Sequence, residues 1–73
     1  MVTQSTYYII VVQGHLGTLF QNAFAHMACL SRPDGTTRMT GYLPDQAAVF
    51  GILNTIERLG LTLVSIQAQE QSV

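Results

Sequence analysis

With 73 residues, 48% of them hydrophobic and 10% charged, the chain has room for one domain and one core, and few ionic side chains to cover its surface. A net charge of −1, with Arg32, Arg38 and Arg58 and no lysine, excludes the clustered phosphate contacts of a nucleic-acid surface and an electrostatic hold on a membrane. The single Cys29 excludes an internal disulfide and gives no metal-ligand spacing.

Residues 1–5 are polar and are expected to fray. Thr6 to Gln13 is rich in β-branched and aromatic residues and predicts a first strand. Tyr7, Ile9 and Val11 fall on one face, and Tyr8, Ile10 and Val12 on the other. A strand in a one-sided sheet alternates apolar with polar; this one does not, so both faces are expected to be covered. Gly14 and Gly17 then break the strand around His15 and Leu16. Residues 18–25 predict a short helix, with Phe20 and Phe24 one turn apart on one face and Thr18 as its N-cap.

Residues 26–31 predict a second strand. Arg32-Pro33-Asp34-Gly35 is a turn signal, because proline suits an early turn position and glycine supplies positive φ. Residues 36–40 predict a third strand pairing back on the second, ended by Gly41. A helix starts at Leu43-Pro44-Asp45-Gln46, with Pro44 in its first turn and Asp45 at the positive end of its dipole. It is expected to run to Leu59, with Gly60 as the left-handed residue beyond its end. Val49, Ile52, Leu53, Ile56 and Leu59 form its apolar stripe. Residues 61–67 predict the last strand, and residues 68–73 a disordered polar tail.

The order is β-α-β-β-α-β over residues 1–73, with an ordered core at 6–67. The expected fold class is α+β: a ferredoxin-like two-layer sandwich with a short first helix and its helices on one face of a four-stranded antiparallel sheet. A short first helix leaves a second arrangement open, with the first two strands as a simple hairpin.

Gly14-His15-Leu16, Asp34-Gly35-Thr36-Thr37, Thr40-Gly41, Leu43-Pro44-Asp45-Gln46-Ala47-Ala48, Gly51 and Leu59-Gly60-Leu61 form a pattern spanning residues 8–66. The pattern resembles a widespread group of small bacterial proteins of unknown function. The resemblance implies no established activity and no catalytic residues. Members of that group often carry Trp at the position of Phe20, His at that of Phe50, and charged residues at those of Ile9 and Val11. Here all four positions are apolar, which places an apolar patch at Ile9 and Val11 on the outer face of the sheet, near Ala28 and Leu30.

Candidate chemistry is sparse. His15 follows a strand end, where histidine can serve as a general base near neutral pH; the plainer role is a ring bonded to a backbone carbonyl. Asp45 could pair with it, but compensation of the helix dipole accounts for Asp45 equally simply. His26 has no recognisable spacing with either. Cys29 reads as a buried structural thiol rather than a nucleophile, since nothing near it in sequence lowers its pKa. Gly14 and Gly17 do not make a phosphate loop, because no lysine follows. His15 and Asp45 stand as weak ligand-site candidates, with no catalytic or metal-ligating set and no cofactor expected.

No apolar run approaches the ~20 residues of a membrane span, and residues 9–12 are too short for a signal core. A cytoplasmic protein is expected. A domain this small, without disulfide or metal, needs a very efficient core or a partner. The expected function is a non-enzymatic interaction module, a homo-oligomer or part of a larger assembly, joined through the outer sheet face. Its expected interface is Ile9, Val11, Ala28 and Leu30, with Ala47, Phe50 and Gly51 on the second helix. A small-molecule-binding regulatory domain, with its ligand between subunits, is the alternative. A small enzyme using His15 is the third reading.

Overall fold

The computed structural model of the chain describes residues 6–24 and 27–69, with the side chains of Leu19 and Phe20 excepted. Its elements are β1 (Thr6–Gln13), α1 (Thr18–Ala23), β2 (Ala28–Ser31), β3 (Thr36–Leu43), α2 (Gln46–Arg58) and β4 (Leu63–Gln69). They form a four-stranded sheet in the order β2-β3-β1-β4, with every neighbouring pair antiparallel. β1 and β2 are therefore not a hairpin. β3 lies between them, and β1 lies between β3 and β4, so each helix bridges two strands across a third.

The doubly apolar β1 takes a central position, as its composition requires. Ile10 and Val12 face the helix layer and are fully buried, together with Met39 of β3. Leu16, Phe24, Met27 and Ile56 close over them, with Ile52, Leu53, Leu59 and Leu61 packed around the margin. Phe24 follows α1 and Ile56 belongs to α2, so both helical segments cover the same face.

Several boundaries move from their expected places. β3 continues through Gly41 to Leu43, because β1 offers partners all the way: Gly41 lies opposite Tyr8, and Leu43 opposite Thr6. Gly17, not Thr18, is the N-cap of α1, and no side chain caps that helix. Pro44 precedes the first turn of α2. Asp45 is the N-cap, and its carboxylate accepts from the Ala48 N–H at 2.9 Å. β4 starts at Leu63 rather than residue 61. Leu61 is spent on the helix end, where its N–H donates to the Ile56 carbonyl and that of Gly60 donates to Glu57, both at 3.0 Å. This is a Schellman cap, closed by Gly60 at φ 74°. Thr62 accepts from the Gln13 N–H. Ala68 and Gln69, expected in the tail, extend β4 by pairing with Tyr8 and Tyr7. β2 starts at Ala28 and not before, since the Met27 N–H turns back to the Phe24 carbonyl at 2.9 Å; His26, the frayed 1–5 and the remaining tail 70–73 lie outside the described residues.

Candidate functional site

Two of the sequence motifs meet at one end of the sheet. The Gly14 N–H donates to the Gly35 carbonyl at 2.7 Å, and the Thr37 hydroxyl donates to the Gly14 carbonyl at 2.7 Å. The His15 ring donates from Nε2 to the Arg32 carbonyl at 2.9 Å, since a carbonyl can only accept. Asp34 turns back on its own loop and accepts from both the N–H and the hydroxyl of Thr36. These two bonds hold its carboxyl below the ordinary aspartate range. Leu16 leaves the junction for the core. The Gly-His-Leu and Asp-Gly-Thr-Thr motifs thus latch the exit of β1 to the β2–β3 turn.

Asp45 stands at the other end. β1 and β3 run antiparallel, with Gln13 opposite Thr36 and Thr6 opposite Leu43. The seven intervening steps separate the two strand ends by roughly 23 Å at ~3.3 Å per residue. His15 lies beyond the first end and Asp45 beyond the second, so the two side chains cannot form a dyad. Both are engaged in backbone bonds. Cys29 faces the core side opposite Met39, and partial burial pushes its thiol pKa up. That makes it a weaker nucleophile at neutral pH. No group of three or more potential metal ligands occurs among the described residues.

The outer sheet face places the expected patch in two rows. Gln67, Ile9, Thr40 and Ala28 lie abreast in one; Ser65, Val11, Arg38 and Leu30 lie abreast in the other. Ile9 and Val11 are each only 9% exposed. Gln67 flanks Ile9 and Arg38 flanks Val11, and Tyr7 packs edge-on against Tyr42 on the same face, with ring centroids 5.0 Å apart. The exposed apolar surface lies instead at the margin, in Leu30 at 63%. A shallow hollow of about 270 Å³ there is lined by Tyr7, Ala28, Leu30, Arg38 and Thr40. The Arg38 Nε is buried without a hydrogen-bond partner. On α2, Ala47 and Gly51 are exposed and Phe50 is 64% exposed. A Cβ added at Gly51 would meet nothing within 4 Å, so no contact within the chain demands a glycine there.

A family model for a domain of unknown function, DUF8691, matches residues 7–67. The chain belongs to this family. Comparison with curated proteins and with solved structures returned no significant match. The DUF8691 match reaches all six elements, beginning one residue into β1 and stopping two residues before β4 ends. No helix among the described residues is long and apolar enough to cross a membrane.

One surface of this DUF8691 domain escaped the sequence reading. All seven residues of β4 are exposed, and no other strand among the described residues lies beyond it. The available signal was negative: Leu-Val-Ser-Ile-Gln-Ala-Gln contains neither charge nor proline.

Proposed function

We propose that this domain is a non-enzymatic self-association module. The carrying observation is its exposed apolar side chains: Leu30, Tyr42, Phe50, Leu63, Val64 and Ile66 remain open to solvent on a chain with 10% charged residues. Leu63, Val64 and Ile66 lie together on one strand, β4, and clustered exposed apolar surface marks an interaction site. The ferredoxin-like outline supports the reading, since such a two-layer sandwich leaves one sheet face and two edges free. The strand order and the shared helix face support that outline. The outer sheet face is one surface for assembly, with Leu30 as its exposed anchor and Ile9 and Val11 as its floor. The unpaired Cys29 fits a cytoplasmic setting.

Light scattering coupled to size exclusion tests the proposal. A mass above the 8.0 kDa of one chain at micromolar concentration supports it, and a monomer across the accessible range overturns it. Leu30→Lys is a cleaner probe of the outer face than Ile9→Lys, because Ile9 is already buried within one chain.

A second reading rests on Arg38. It is the only charged residue in the rows of the outer face, and it lines the hollow beside Leu30 with its Nε buried and without a hydrogen-bond partner. A small carboxylate would complement it there. A thermal shift with carboxylates that disappears in Arg38→Gln would favour this ligand-binding reading; no shift in the unaltered protein would remove it.

A further inference from the structure

We propose that two copies of this chain join edge to edge through β4, antiparallel about a two-fold axis, making one continuous eight-stranded sheet. The inference rests on the self-association proposed above and specifies its joint.

An edge strand offers a row of unpaired N–H and C=O groups, and folded proteins normally blunt such edges. The usual devices are shortness, charge, proline, a bulge or a covering element. β2, the opposite edge, has four residues and is followed at once by Arg32 and Pro33. β4 has seven residues, none of them charged and none proline. Its one irregularity sits near one end: Val11 pairs with Ser65 and Val12 with Leu63, which leaves Val64 as the extra residue of a bulge. Ser65, Ile66, Gln67, Ala68 and Gln69 pair regularly with β1, and nothing among the described residues pairs beyond them.

The side chains point to a second copy as the occupant. Ile66 lies opposite the fully buried Ile10, on the helix-covered face, yet remains exposed. Leu63, opposite Val12 on the same face, is exposed as well. The core therefore runs out to this edge without a lateral wall. A two-fold mate sets its own Ile66 and Leu63 along that margin and continues the core across the joint. Because the strand is neutral, antiparallel self-pairing opposes no like charges, and a two-fold joint closes at two copies instead of propagating.

The test uses the full chain in three forms: unaltered, Ser65→Lys/Gln67→Lys, and Leu30→Lys. Ser65 and Gln67 lie on the outer face of β4 and are exposed, so lysines there leave the core intact but crowd four cations at the joint. Sedimentation should show at least a dimer of the unaltered chain, and Leu30→Lys should remove only association through the outer sheet face, leaving the β4 dimer. The double variant should shift at least tenfold toward monomer at low ionic strength. Amides in the 65–69 stretch of the unaltered chain should gain exchange protection as concentration rises. A dimer that survives the double variant but dissociates with Leu30→Lys overturns the edge joint while leaving self-association standing. So does a dimer whose 65–69 amides exchange independently of concentration. A monomer at every concentration overturns both.

Discussion

The Thr37 hydroxyl donates to the Gly14 carbonyl across 2.7 Å, joining residues 23 positions apart. Thr37 is fully buried, so its hydroxyl has no water to take the place of this partner. Thr37→Val keeps the shape, removes the donor and leaves the carbonyl with one bond fewer. The expected loss is about 1–2 kcal/mol of folding stability, read by urea denaturation. Thr37→Ser should recover part of it, because it restores the hydroxyl without the methyl group.

Gly60 and Gly51 should respond to alanine with opposite signs. Gly60 sits at φ 74° beyond the end of α2, where a Cβ crowds the backbone. Gly60→Ala should cost about 1–2 kcal/mol. Gly51 lies inside the helix with open space where a Cβ would point, so Gly51→Ala should add up to ~1 kcal/mol from helix propensity. Thermal melts of the two variants check both signs. A stabilised Gly51→Ala with unchanged mass would also show that close approach at this helix face plays no part in assembly.

Asp45 caps α2 through the Ala48 N–H. Asp45→Ala should destabilise the domain by about 1 kcal/mol, and Asp45→Ser should restore most of the loss, since either side chain can accept that bond. Denaturant midpoints of the three proteins decide it. A purely structural Asp45 predicts this ordering and no other phenotype.

Asp34 makes stability depend on acid. Its carboxyl titrates lower in the folded chain than in the unfolded one, because Thr36 donates two bonds to it. A depressed carboxyl stabilises fully above its unfolded value, about 3.9, and the contribution disappears as pH falls through the lower folded value. Stability should therefore decline below about pH 4, and Asp34→Asn should flatten that part of the profile. Denaturation midpoints measured from pH 5 to pH 2 give the comparison. An unchanged acid limb in Asp34→Asn would assign the decline to other carboxyls.

The locally encoded features were legible in the sequence. The β-branched run of β1, the turn at Asp34-Gly35 and the Gly60 end of α2 each depend on backbone preferences a few residues wide. Their positions in the structure match that reading. Features that depend on a partner strand were not legible. Gly41 signals a strand end, but Tyr8 lies opposite it and the ladder continues. Ala68 and Gln69 read as tail, but Tyr8 and Tyr7 give them partners.

The candidate surface divides in the same way. Composition alone determined that few charged side chains, and no lysine, are available to cover this chain's surface, and that it has a single cysteine. Where the exposed apolar surface lies was decided only by tertiary structure. Pairing in the order β2-β3-β1-β4 placed the most apolar strand in the middle, where its neighbours shelter Ile9 and Val11, and put the milder Leu63–Gln69 at an open edge. Exposure is a property of neighbours brought together by long-range hydrogen bonding, and those neighbours lie far along the chain: Arg38 and Ser65 beside Val11, Thr40 and Gln67 beside Ile9.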